Sequence, residues 1–86
     1  MTKKEIRKKL INVIDVRFNP ITKIKDTDNY RDDYGMDSLD ALEFGLDVEE
    51  EFDIALSDEE IKELSNSTVK DTIDFLYDFM KPFKED

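Results

Sequence analysis

Asp33-Tyr34-Gly35-Met36-Asp37-Ser38-Leu39 ends a long polar stretch and opens a helix. Gly35 brings a backbone freedom that other residues lack at a tight turn. Asp37 and Ser38 are both good N-cap residues. Beyond them Leu39, Leu42, Phe44, Val48 and Phe52 recur at helical spacing. The pattern holds a serine hydroxyl at the exposed start of a helix. Taken alone, a serine in that place is a cap; the residues on its C-terminal side point to more than a cap.

The helix is expected from about Ser38 to Phe52. At about 100° per residue its apolar residues fall into two groups. Ala41, Phe44, Gly45, Val48 and Phe52 share one face, predicted to be core. Leu39, Leu42 and Leu46 lie nearly opposite, with Asp40, Glu43, Asp47 and Glu50 beside them. Other elements of the domain cover that second stripe, or it is a partner surface with an acidic border. From Asp37 to Glu60 there are eleven acids and no Lys or Arg.

Length and composition set the outer bounds. Eighty-six residues make one small domain with a modest core. The absence of Cys excludes disulfides and thiolate metal sites. The absence of His excludes a Ser-His or Cys-His nucleophilic centre built from this chain alone. No apolar run is long enough to span a bilayer, and the basic start meets no long apolar segment of the secretory kind. A cytoplasmic protein is expected.

The net charge of −10 is unevenly spread. Residues 1–25 carry eight bases and two acids, a net of +6; residues 26–86 carry five bases and twenty-one acids, a net of −16. The acidic part repels nucleic-acid phosphates and suits a partner with a basic surface. The basic start lies on an amphipathic helix and reads as a solvated face.

Thr2-Lys3-Lys4-Glu5 is a capping box. It opens a helix from about Lys3 to Arg17, with Ile6, Leu10, Val13 or Ile14, and Phe18 on its apolar face. Asn19-Pro20 stops it. From Asn19 to Met36 no period persists, so a long loop is expected, pinned to the core by Ile21, Ile24, Tyr30 and Tyr34. Asp26-Thr27-Asp28-Asn29-Tyr30-Arg31 begins like a calcium loop, but Tyr30 stands where a ligand belongs and Arg31 where the Gly belongs. No metal site is expected beyond loose divalent binding to the acidic helix. Ser57-Asp58-Glu59-Glu60 opens a short helix through about Leu64, with Leu56, Ile61 and Leu64 inward. After a turn at Ser65-Asn66-Ser67, Thr68 caps the last helix, with Asp71 in its first turn. Val69, Ile73, Leu76 and Met80 form its apolar face, joined by Phe75 and Phe79; Pro82 ends it, and the tail from Lys81 to Asp86 is expected to fray.

The stretch from Asp37 to Glu60, DSLDALEFGLDVEEEFDIALSDEE, resembles the acyl carrier proteins of fatty-acid and polyketide synthesis. The matching elements are the Asp-Ser-Leu at the helix start, the Glu-Glu-Glu-Phe at its end and the Asp-Glu-Glu beyond it. The likeness runs roughly from Tyr30 to Leu76, and the first helix fits it. It implies an all-α fold, a small four-helix bundle with a long first loop and a short third helix. Residues 1–86 would form a single acyl-carrier-type domain, monomeric and without an enzymatic activity of its own.

The resemblance also implies that Ser38, flanked by Asp37 and Leu39, is the attachment point for 4′-phosphopantetheine. A phosphopantetheinyl transferase would move that group from coenzyme A. With no His in this chain, base and metal must belong to the transferase. Acyl groups would then travel as thioesters on the arm, and Asp40, Leu42, Glu43, Leu46, Asp47, Glu49 and Glu50 would face enzymes with basic surfaces. Gly45, Ser57 and the Ser65-Asn66-Ser67 turn depart from the family's habit of a larger apolar residue, a Pro and a shorter turn. The missing side chain at Gly45 is expected to leave space, for cargo or for a neighbouring aromatic such as Phe44, so that Gly45→Ala would stabilise the unloaded protein. A D-alanyl-type carrier is one alternative; a small acidic helical adaptor that binds a basic protein, with Ser38 a mere cap, is another.

Overall fold

Four capping boxes start the four longer helices of the computed structural model, which describes residues 1–81. In each, the cap side chain accepts from the amide three residues on, and the acid there accepts from the cap's own amide. The pairs are Thr2–Glu5, Asp37–Asp40, Ser57–Glu60 and Thr68–Asp71. Such a cap contributes about 1 kcal/mol. The helices among the described residues are α1 (Lys3–Phe18), α2 (Tyr30–Tyr34), α3 (Ser38–Phe52), α4 (Asp58–Ser65) and α5 (Val69–Met80). The all-α bundle is as expected, with α4 as its short member.

The connection between α1 and α3 is not all loop, however. Its end winds into α2, one turn long, because Asn29 accepts from the amides of Arg31 and Asp32, while Gly35 closes the turn at φ 67°. A left-handed residue is required there, and Gly takes that conformation without strain.

The helices pack α1 against α3 and α5, and α3 against α4. The predicted core face of α3 is the buried one: Ala41, Phe44, Gly45, Val48 and Phe52. It meets Ile6, Leu10, Val13 and Ile14 of α1, Ile61 and Leu64 of α4, and Val69, Ile73 and Leu76 of α5 in one cluster. Burying a side chain of this size stabilises by roughly 1.5–3 kcal/mol. Phe75 and Met80 pack at the edge of the cluster, while Phe79 is exposed. The expected stop at Pro82 and the residues after it lie outside the described residues.

The long connection is held at two places. Its end is latched onto the start of α5. The amides of Val69 and Lys70 donate to Asp28 O and Asp26 O at 3.0 and 2.9 Å, and the buried Tyr30 hydroxyl donates to Thr72 Oγ1 at 2.7 Å. Rings continue the anchorage: Tyr30 sits 4.8 Å from Phe44, and Tyr34 stacks on Phe18 at 5.6 Å. Ile24, Tyr30 and Tyr34 pin the segment as expected, but Ile21 does not. It stands fully exposed, at the rim of a shallow groove that Phe18 and Tyr34 also line.

Gly45 also departs from expectation. A Cβ built there would lie 2.8 Å from Ile61 Cγ1 and Cγ2, so the gap is filled by Ile61 of α4 and not by Phe44 or another aromatic. Gly45 therefore permits close contact between α3 and α4 and leaves no spare room.

Candidate functional site

Ser38 is the first residue of α3 and is exposed. The cap itself is Asp37, whose Oδ1 accepts from the Asp40 amide at 2.8 Å, while Asp40 Oδ2 accepts from the Asp37 amide at 3.2 Å. The two acids thus do the capping for which Ser38 was a candidate. The Ser38 hydroxyl enters no hydrogen bond among the described residues. Met36, buried, fixes the turn beneath it, and the Met36 amide donates to Tyr30 O at 3.1 Å. The amides of Ser38 and Leu39 belong to the first turn, where the helix itself provides no acceptor.

Ser38 edges a groove of about 520 Å³ between α2, the start of α3 and α4. Arg31, Lys62 and Asp58 stand on its walls, with Ala41, Leu42 and Ile61. A free hydroxyl and two free amides fit a phosphate ester on Ser38, since the helix start favours an anion; the groove beside it carries the cations Arg31 and Lys62 together with the carboxylate of Asp58. There is room beside the serine for a flexible arm. Among the described residues no group of three or more acids is arranged to hold a metal ion.

Along α3, the three leucines of the second stripe stay uncovered: Leu39 is 63% exposed, Leu42 48% and Leu46 53%. The acids named with them do not stand alike. Arg17, from the last turn of α1, donates to Asp47 Oδ2 at 2.7 Å and to Glu43 Oε1 at 3.0 Å, linking α1 to α3. The bond to Asp47 is the main cause that pushes the Arg17 guanidinium's pKa further up. Glu49 turns toward the α3–α4 connection, where its Oε2 accepts from the Leu56 amide at 2.6 Å. Glu50 remains exposed. The sequence had no way to show Arg17's place, since its partners lie 26 and 30 residues away.

Residues 4–76 match the family described as "Phosphopantetheine attachment site". The chain is also similar to individual proteins named "Acyl carrier protein". It is 36% identical over 73 residues to one from Buchnera aphidicola subsp. Schizaphis graminum, covering 85% of this chain and 86% of that protein. It is 35% identical over 78 residues to one from Chlorobium phaeobacteroides, covering 88% and 96%. It is 39% identical over 71 residues to one from Buchnera aphidicola subsp. Acyrthosiphon pisum, covering 83% and 82%.

Proposed function

The chain belongs to the acyl carrier protein family, and on that premise we propose that Ser38 is the residue to which its 4′-phosphopantetheine is attached. The protein is a carrier and not an enzyme, and its prosthetic group is covalently held. When bound, that group supplies a thiol on which acyl groups ride as thioesters. The observation that carries the assignment is the division of labour at the start of α3: Asp37 caps the helix, so the Ser38 hydroxyl is exposed and free.

In the attachment reaction Ser38 Oγ forms a new O–P bond with the phosphorus of coenzyme A that bears the pantetheine. The pyrophosphate bond breaks, and 3′,5′-adenosine bisphosphate leaves. The serine proton goes to a base on the transferase, since this chain has no His. The amides of Ser38 and Leu39 would be the backbone donors open to that ester, and Arg31, Lys62 and Asp58 line the groove beside Ser38.

A phosphopantetheinyl transferase and acyl-transferring or synthase enzymes are the partners the family implies. The Leu39, Leu42 and Leu46 stripe with its acidic flank is the surface proposed to meet them, through basic side chains on the enzymes. Residues 1–86 are read as one carrier domain, monomeric and cytoplasmic; no helix among the described residues is long and apolar enough to cross a membrane. The relatives bear the plain carrier name, which favours neither the adaptor nor the D-alanyl-type carrier.

Intact mass after incubation with coenzyme A and a broad-specificity phosphopantetheinyl transferase tests the assignment. The wild type gains one phosphopantetheine, and Ser38→Ala stays folded and gains none. A modified Ser38→Ala protein would refute it.

A further inference from the structure

Most acids beside the exposed leucine stripe are already engaged within the molecule. Glu43 and Asp47 share Arg17, at 3.0 and 2.7 Å. Asp40 accepts from the Asp37 amide, and Glu49 from the Leu56 amide. Glu50 is exposed and enters no hydrogen bond or ion pair among the described residues. It lies about 20° around the helix from Leu39, on the stripe's own flank.

We infer that this face fits a partner enzyme that offers an apolar pocket to Leu39, Leu42 and Leu46 and a basic side chain to Glu50, and that Arg17 sets this preference by withholding Glu43 and Asp47 from the partner's cations. The inference rests on the carrier reading above. A partner Lys or Arg that approaches Glu43 or Asp47 meets the positive charge of Arg17. It gains one ion pair only by displacing another, an exchange that yields little. Arg17 keeps its charge at any ordinary pH, and it reaches two carboxylates at once, which a point-like ammonium does less well. Glu50 borders the same small groove as Arg17 but holds no bond to it, so a partner's cation displaces no ion pair there. A second copy of this chain suits the stripe poorly, because a two-fold contact sets each face against its own acids.

The test tracks modification of Ser38 by a broad-specificity phosphopantetheinyl transferase with coenzyme A, read as kcat/KM by intact mass from low to high ionic strength. The wild type is expected to show a shallow salt dependence. Arg17→Gln should raise kcat/KM about two- to fivefold at low salt and fall more steeply, the two curves meeting at high salt. Arg17→Lys, which keeps the charge but holds the two carboxylates less well, should fall between the wild type and Arg17→Gln. Glu50→Gln should lower kcat/KM more than Glu43→Gln, and Leu46→Ala should lower it at every salt concentration. Thermal melts check that each variant is folded. A folded Arg17→Gln protein with the rate and salt slope of the wild type overturns the inference while leaving Ser38 assigned. Should Arg17→Gln not fold, equal losses from Glu43→Gln and Glu50→Gln overturn it instead. Sedimentation that shows a dimer broken by Leu46→Ala overturns it in favour of a second copy. No mass gain in the wild type overturns the Ser38 assignment itself and the inference with it.

Discussion

A methyl group on Gly45 would stand 2.8 Å from both Cγ1 and Cγ2 of Ile61 and 2.9 Å from its Cδ1, well inside van der Waals contact. Ile61 is buried and branched at Cβ, so it has few rotamers in which to retreat. Gly45→Ala gains about 0.5–1 kcal/mol of helix propensity but must part α3 from α4, at a cost of about 1–3 kcal/mol. Net destabilisation is expected, read as a lower denaturation midpoint. Ile61→Ala alone costs about 2–5 kcal/mol through the cavity it leaves; combined with Gly45→Ala, the pair should lose less than the sum. A Gly45→Ala protein more stable than the wild type would contradict the close approach.

Asp37 does the capping and its neighbour Ser38 is the proposed attachment residue, so the two roles should separate by mutation. Asp37→Ala removes the acceptor for the Asp40 amide and should cost about 1 kcal/mol of stability. It should still be modified, because the Ser38 hydroxyl remains. Ser38→Ala should cost much less stability and lose modification entirely. The two measurements are a urea melt and an intact mass; equal destabilisation by both substitutions would mean that Ser38 shares in the cap.

The parts of this fold that could be read from sequence are those governed by neighbours. Thr2 and Ser57 announce their helices because a cap and its acid lie three residues apart, and Thr68 reads as a cap; at α3 the sequence leaves the cap open between Asp37 and Ser38. The core face of α3 follows from spacing alone. Helix α2 escaped because five residues show no period, although Asn29 and Gly35 bracket it as cap and stop. The filling of Gly45 and the pairing of Arg17 depend on side chains from other helices, and no local pattern encodes them. Ser38 itself is marked by Asp37 and by the acidic helix behind it; that its hydroxyl is left over from the cap follows from the Asp37–Asp40 pairing, which the sequence leaves open.

Salt should stabilise the protein. Of the eleven acids between Asp37 and Glu60, Glu43 and Asp47 are the ones joined to a base among the described residues. The rest repel at helical spacing. Sodium chloride should raise the melting temperature through screening. Magnesium should do so gradually over millimolar concentrations, because no three acids are grouped to hold an ion among the described residues. A gain complete at one equivalent of magnesium would reveal a defined site.

Alkaline pH should loosen the latch between the long connection and α5. Burial pushes the Tyr30 phenol's pKa well above its ordinary value, and burial together with Asp28 does the same for Tyr34. A group whose pKa is raised on folding contributes stability that is whole below its unfolded pKa. That contribution is lost as pH rises from about 10, the value in the unfolded chain, toward the folded one. Absorbance near 295 nm should therefore show tyrosines that ionise only as the protein unfolds, and Tyr30→Phe should remove one of them. Ionisation of every tyrosine near pH 10 in a folded protein would contradict the burial.

Tyr30 and Thr72 are both fully buried, and their hydroxyls depend on each other. Tyr30 donates to Thr72 Oγ1 at 2.7 Å, and Thr72 in turn donates to Thr68 O at 3.2 Å. Thr72→Val keeps the shape and removes the acceptor. It strands the Tyr30 hydroxyl in the core, at a cost of about 1–3 kcal/mol. Tyr30→Phe removes the donor and leaves Thr72 with its bond to Thr68 O, so it should cost less. With both substitutions no polar group is left without a partner, and the double variant should be more stable than the sum of the two losses predicts. The same cycle locates the effect in the fold, because this bond joins α2, just ahead of Ser38, to α5. In Thr72→Val, amide exchange should quicken at Val69 and Lys70, whose amides close the latch onto Asp28 and Asp26, more than in the middle of α1. Strict additivity of the two substitutions, or uniform quickening along the whole chain, would show that the hydroxyl pair is not what holds the connection in place.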